Sequence, residues 1–393
     1  MKRSTNRILS AHVGTLPRPA GFPEVYFGEV ANRDEFFKTL PGNVKEVVKR
    51  QVDVGLDIIN DGEYGKLGGF SNYVGTRLEG MERKDEPVPA RNVSARDQQE
   101  FPGFFEMAGP GGFNFRATVA AAGTSPAPRR INQPIFCTGP IKYIGQAQAQ
   151  IDIDNLKAAS AGYGDVEPYL PAIAPGTIEH WLHNRYYKDD QEFLFAIADA
   201  MHEEYKMIVD SGLILQIDDP DLPDGWQMFP DMSVADYRKY AQLRVDALNH
   251  ALKGLPEDRV RLHVCWGSGH GPHKHDIPLK DIIDIIFDVR AECVSIEASN
   301  PRHEHEWTVF EDYKLPAGRS FMPGVIGHAT DLIEHPELIA QRLVRYANLV
   351  GRENVIAGAD CGLGSRVGHP EIAWGKLQAM VEGCQLASKQ LWK

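Results

Sequence analysis

The sequence predicts an α/β protein, a (β/α)8 TIM barrel, and three observations carry that prediction. A short apolar strand, a polar or glycine-rich loop and an amphipathic helix recur about eight times along the 393 residues. Residues able to do chemistry come just after the strands, which is where barrel enzymes keep their active sites. No Gly-x-Gly-x-x-Gly follows the first strand, which weighs against the doubly wound dinucleotide-binding fold that shows the same alternation.

In order, the first strand is Ile8 to Val13, running on through Gly14-Thr15-Leu16-Pro17 to Arg18. A helix from Asn43 to Val54 carries Val44, Val47, Val48 and Val52 on one stripe and stops at Gly55. The second strand, Leu56 to Asn60, leads into Asp61-Gly62-Glu63-Tyr64. Residues 80–131 show no period and are rich in proline, glycine and charge, which predicts an inserted excursion. Pro134 to Thr138 is predicted as the third strand, followed by a second excursion over residues 158–183. The helix Gln191 to Val209 feeds a fourth strand, Leu213 to Ile217, ending in Asp218-Asp219-Pro220. After a helix from Val234 to Leu252, strands five to eight are Val260 to Trp266, Cys293 to Ala298, Ser320 to Ile326 and Val355 to Ala359. Helices fill the gaps at Leu279 to Val289, His335 to Leu349 and Pro370 to Trp392. The whole chain, 1–393, is thus expected to be one barrel with insertions after strands two and three.

Composition excludes several classes. Hydrophobic content of 42% and charged content of 24% are those of a globular protein. A net charge of −12 argues against nucleic acid or an anionic membrane as partner. The N-terminal segment has no apolar targeting run, and five scattered cysteines do not make a disulfide framework, so a reducing, cytoplasmic protein is expected.

The chemistry centres on Leu262-His263-Val264-Cys265-Trp266. Residues two apart on a strand share a face, so His263 and Cys265 project together, and imidazole beside thiolate suits zinc. Glu297 stands inside the apolar sixth strand, where an ionised carboxylate is costly unless something positive meets it. Cys361 comes after the eighth strand. Together these make an N/S/O/S ligand set, although Glu297 could instead pair with Arg302 and Cys361 could be a small buried hydrophobe. The run His270 to Asp276 is read as compositional, and His303-Glu304-His305-Glu306 as a solvated or gating loop. Trp226, Trp266 and Trp307 are candidates for the pocket mouth.

Ile8–Arg18, Gly55–Glu63, Thr138-Gly139-Pro140, Gln216 to Pro220, His263-Val264-Cys265, Ile296 to Ser299 and Asp360 to Leu363 keep the order of a known pattern. On these stretches the chain resembles the catalytic barrel of the cobalamin-independent methionine synthases, and the shorter single-barrel members that include epoxyalkane:coenzyme M transferases. The resemblance implies that His263, Cys265, Glu297 and Cys361 bind zinc, which binds the substrate sulfur as a thiolate. It also implies that Glu63 and Asp218 hold the amino group of homocysteine.

Two departures stand out. The tryptophan that stacks on the folate in that family has no counterpart in Ile141 to Gln146, leaving Tyr143, Tyr163 or Trp226 as substitutes. The histidine that serves as acid is displaced by one position, to His328. The expected reaction is alkyl transfer, in its best-known form methyl transfer from methyl-tetrahydrofolate to homocysteine, with epoxide opening by coenzyme M, or a non-enzymatic barrel with a structural zinc, as the alternatives. His328, with Asp219 behind it, is the expected acid for the leaving group, and His12 and Arg18 are expected to recognise an anionic group.

Overall fold

The computed structural model describes residues 1–23, 25–26, 29–30, 32–67, 69–88, 92–108, 134–364 and 366–393. Its centre is a sheet of eight strands. In chain order they are β1 (Leu9–Ser10), β2 (Ile58–Ile59), β3 (Glu167–Ile173), β4 (Ile214–Asp218), β5 (Val260–Val264), β6 (Cys293–Ile296), β7 (Ser320–Ile326) and β8 (Ile356–Ala359). Every pairing is parallel; β2 to β8 lie side by side in order, and β8 pairs back onto β1. Between β1 and β2 the ladder reduces to Asp57 N–H donating to Ser10 O at 3.1 Å, with Ser10 N–H returning to Asp57 Oδ2 at 2.8 Å. The sheet is therefore a nearly closed (β/α)8 barrel, as the sequence predicts.

The period-two alternation sorts each strand into an outer and an inner row. Val260, Leu262 and Val264 of β5 join the large core beneath the helices, as do Leu215 and Ile217 of β4 and Val294 and Ile296 of β6. Ile214 and Cys293 belong to a second, small apolar cluster with Leu9, Ile58, Tyr169, Met322 and Ile356, one side chain from most of the strands. Above that layer the interior turns polar. Arg261 is fully buried there, with its guanidinium on Gln216 and 4.0 Å from the ring centre of Tyr169.

The third strand differs from the sequence prediction. Ile135–Tyr143 forms no part of the barrel; it pairs antiparallel with Leu78–Arg83 and parallel with Leu182–Asn184 in a separate three-stranded sheet. The true β3 lies within residues 158–183, which are therefore not an excursion. Pro168 and Pro171 disguise it, because each removes a ladder donor. The position is tolerated because β2 pairs only with Glu167 and Pro168, leaving the rest of that edge without a ladder. The insertion between β2 and β3 contains two strands of the side sheet, Leu78–Arg83 and Ile135–Tyr143, and the helices Ala95–Glu100 and Pro102–Ala108, while the sheet's third strand, Leu182–Asn184, follows β3; residues 89–91 and 109–131 of the expected 80–131 excursion lie outside the described residues.

A second difference concerns the first helix, which runs from Arg33 to Val54 and carries Pro41 inside it. Asn32 caps it by accepting from Glu35 N–H, and buried Phe36 and Leu40 extend the apolar stripe one turn and more before Asn43. The side sheet is fastened to the barrel by buried charge. Arg77 pairs with Asp152 on the helix Gln146–Ser160 and, at 3.1 Å, with Glu204 on the helix Asp190–Asp210. Tyr73 and Tyr143 donate to the same Glu204 carboxylate at 2.7 and 2.6 Å. No helix among the described residues is long and apolar enough to cross a membrane.

Candidate functional site

Strand register builds the site. His263 lies opposite Asp218 on β4 and Ser295 on β6, so three polar side chains share one layer. Cys265 is one inward step further, and Cys361 lies just past β8 across the barrel. The ligand atoms of His263, Cys265 and Cys361 all lie within 4.8 Å of one another, and the two sulfurs are 3.9 Å apart. Two thiolates on one tetrahedral zinc, at Zn–S of about 2.3 Å, stand about 3.8 Å apart. His263 Nδ1 meets Ser295 Oγ at 3.1 Å, while its Nε2 is buried without a hydrogen-bond partner. An orphaned imidazole nitrogen facing two sulfurs is the donor set of a soft divalent ion. The hydrogen bond from Cys265, and then His263, hold the Cys361 thiol well below its usual range against burial.

Glu297 stands beside this triplet rather than in it. Its Oε2 accepts from Trp266 N–H at 2.9 Å and its Oε1 from Asn300, and its ligand atom groups with those of His328 and Asp360. Arg302, its alternative partner, instead donates to Lys274 O. Asp360 accepts from the N–H groups of Ala298 and Ser299, each at 2.9 Å, and burial pushes its carboxyl up to about 6. His328 is buried in this second group with both ring nitrogens unpartnered among the described residues.

The metal triplet opens into a cavity of about 270 Å³. Glu63 and Asp218 line it too, which brings two carboxylates predicted for one role to one wall. Glu63 reaches it from a strained turn. Its φ of 58° lies in the left-handed region, directly after Gly62 at 70°, and Asp61 Oδ1 holds the bend by accepting from Glu63 N–H at 2.9 Å. Burial pushes the Glu63 carboxyl up to about 7, and Lys66, whose Nζ is 3.7 Å from Oε1, pulls the other way. Lys66 is buried, and nothing in its spacing from Glu63 marked it beforehand.

The other expected site residues fall away from the cavity. His12 Nε2 is bonded to Gln51 at 2.8 Å, and burial lowers its pKa to about 4, so it is neutral at pH 7. The Arg18 guanidinium sits 4.9 Å from the ring centre of Phe22. Asp219 donates its N–H to His263 O and accepts from Thr177; burial pushes its carboxyl up to about 7. None of His12, Arg18, Asp219 and His328 lines the cavity.

The aromatic expectations are also corrected. Trp266 is buried, bonded to Ile277 O and stacked on His303 at 4.0 Å, and Trp226 is bonded to His275 O. Tyr143 is spent on Glu204. The aromatic side chains that do line the cavity are Phe70 and Trp181. His303 is not solvated: it is buried between Asp276 and Glu306, at 3.1 and 2.8 Å. Asp221 and Asp224, on the short helix Asp221–Met228 after β4, complete the acidic wall; their Asp-x-x-Asp spacing was the available signal.

With this geometry in hand, comparison with known proteins is informative. Residues 170–385 match the family described as cobalamin-independent synthase, catalytic domain. The chain belongs to that family. The methionine synthase of Thermococcus kodakarensis is 25% identical over 223 residues, which cover 56% of this chain and 58% of that protein. The chain thus matches little more than half the length of that relative. The methionine synthase of Sulfolobus acidocaldarius is 24% identical over 97% of this chain and 92% of its own length. Among solved structures, a B12-independent methionine synthase from Shewanella sp. W3-18-1, in complex with selenomethionine, superposes with a TM-score of 0.71. It is 16% identical and covers 98% of this chain and 99% of its own. A putative synthase from Listeria monocytogenes, also 16% identical, gives 0.63 over 99% and 100%. These two likenesses bear on the fold, which is the same barrel.

Proposed function

We propose that this family member transfers an alkyl group, in the simplest case a methyl group, to the sulfur of a small amino-acid thiol such as homocysteine. The observation that carries the reading is one cavity shared by the His263, Cys265 and Cys361 donors and, facing them, the Glu63 and Asp218 carboxylates. The donor set fits zinc, which would be held by His263, Cys265 and Cys361, with Glu297, standing beside them, becoming the fourth ligand by giving up its contact to Trp266 N–H or Asn300. Bound there, zinc supplies a Lewis acid that keeps a substrate thiol deprotonated at neutral pH. The chain's own residues do the rest. Ser295 fixes the His263 ring so that Nε2 faces the sulfurs. Glu63 and Asp218 orient the thiol by its ammonium group, and the apolar cavity wall excludes water from the sulfur.

A sulfonate thiol such as coenzyme M would meet the same two carboxylates, with Arg18 away from the cavity and Arg366 the one guanidinium on its wall, which the carboxylate of an amino-acid thiol can equally use. This favours the amino-acid thiol over the epoxide-opening alternative. All five cysteines are free, so a reducing compartment, the cytoplasm, suits a site that needs Cys265 and Cys361 as thiols.

The test is X-ray absorption on the zinc-loaded protein with and without homocysteine. One additional sulfur neighbour is expected, and an unchanged shell means a structural metal. Glu63→Gln and Asp218→Asn should each raise the homocysteine KM by about tenfold or more, the scale of one lost charge-assisted hydrogen bond. Unaltered KM in both variants removes the carboxylates from thiol recognition.

A further inference from the structure

We propose that the alkyl donor is a small onium ion, a quaternary ammonium or a sulfonium compound, seated against Trp181 between Asp221 and Asp224. The proposal rests on the thiol alkyl transfer argued above and names its second substrate.

Charge is the first argument. Apart from the metal triplet, the ionisable side chains on the cavity wall are Glu63, Asp218, Asp221 and Asp224 against one guanidinium, Arg366. The thiol's ammonium accounts for Glu63 and Asp218. Asp221 is paired with His180 at 2.8 Å, whereas Asp224 forms no ion pair among the described residues. Burial and the charge of Asp221 raise the Asp224 carboxyl well above its usual range, so a cation beside it is what would hold it ionised.

Shape is the second argument. Trp181 ends the short helix Pro175–Trp181, next to the His180 that holds Asp221, and keeps 43% of its surface exposed. Phe70 is 38% exposed on the same cavity. Large apolar rings left in water at a cavity mouth, beside carboxylates, form the aromatic and acidic surround that binds alkylated cations.

Proton balance is the third. A neutral amine donor needs a proton on its leaving nitrogen; His328 and Asp219 do not line the cavity, which leaves only the raised carboxyls of Glu63 and Asp224 on its wall to give one. An onium donor needs none. The thiolate's lone pair forms the new S–C bond, the C–N⁺ or C–S⁺ bond breaks, and its electron pair returns to nitrogen or sulfur. The leaving group departs as a neutral amine or thioether, and the only proton released is the thiol's own, on binding.

The experiment incubates zinc-loaded protein with homocysteine and, separately, tetramethylammonium, trimethylsulfonium or methyl-tetrahydrofolate, and reads the S-methyl product by mass spectrometry. Product from either onium ion supports the proposal, and the arm that works identifies nitrogen or sulfur as the leaving atom. Trp181→Ala and Asp224→Asn should each raise the KM for that ion about tenfold, with the homocysteine-dependent sulfur signal at zinc unchanged. Turnover with methyl-tetrahydrofolate and none with either onium ion overturns the proposal while leaving thiol alkylation standing. An onium KM indifferent to both substitutions overturns the seat at Trp181 and Asp224. Absence of the added sulfur neighbour overturns the thiol reading, and this proposal with it.

Discussion

The cavity has two walls, and they are built on different principles. The metal wall comes from β4, β5, β6 and the end of β8, where sheet register alone sets Asp218 beside His263 and His263 beside Ser295. The recognition residues, the strand-borne Asp218 apart, come from connections: Glu63 on a left-handed turn after β2, Trp181 on a seven-residue helix after β3, Asp224 on a helix after β4. A strand-borne ligand cannot shift by one residue without turning to the other face. A loop-borne one can be exchanged at small cost to the scaffold. The family match begins at residue 170, so it takes in the metal wall and omits Glu63. The difference teaches that the positions of the His263, Cys265 and Cys361 donors are the fixed part of this site and the identity of the groups around them the adjustable part.

The largest effect expected is on the metal wall. Cys265→Ser and Cys361→Ser should each weaken zinc binding by more than about 100-fold, since even residues that only support a ligand cost up to that factor. Zinc content after dialysis against a mild chelator measures it. Full retention by both variants would mean that the two walls do not divide as described.

Arg77→Met strikes the joint between the side sheet and the barrel. It leaves Asp152 and Glu204 buried without their guanidinium, and breaking a buried pair of this kind costs about 3–5 kcal/mol. Urea unfolding reads the loss. A change below about 1 kcal/mol, the scale of an exposed pair, would show that the side sheet is not held by this network.

Ser295→Ala should be milder and confined to the metal. Without its hydroxyl the His263 ring loses the contact at Nδ1 that leaves Nε2 facing the sulfurs, and zinc affinity should fall about tenfold. Folding stability should change little. A metal-competition titration with a fluorescent chelator distinguishes this from no effect.

Legibility in the sequence divides along the same line. The barrel, seven of its strands and the meeting of His263, Cys265 and Cys361 could be read from alternation and from the residues at each strand's C-terminal end. β3 was hidden because Pro168 and Pro171 look like loop residues, and the continuous apolar run Ile135-Phe136-Cys137 took its place. Pro41 concealed the first turns of the helix Arg33–Val54 in the same way. In the site, the partition of the Glu297 carboxylate between Trp266 N–H and Asn300 depends on backbone geometry that no motif encodes. Trp181 was out of reach for a related reason: which face of a short connecting helix looks into the cavity is settled by tertiary packing.

The smallest effect expected is none at all on the metal, from the three remaining cysteines. Cys137 sits in the side sheet with its thiol on Gly139 O at 3.3 Å, Cys293 lies in the apolar layer at the barrel's base, and Cys384 is on the helix Pro370–Leu391. Burial raises all three thiols, and none of them lies with the His263, Cys265 and Cys361 donors. Each behaves instead as a small apolar side chain. Replacing Cys137, Cys293 and Cys384 by Ala, singly and together, should leave one zinc per chain and cost about 1 kcal/mol of stability per site. In the metal-free triple variant a thiol reagent should then titrate two groups, Cys265 and Cys361, and added zinc should protect both. If zinc content falls in any of the single variants, a sulfur outside the metal wall is taking part, and the separation between a register-fixed metal wall and the rest of the barrel fails.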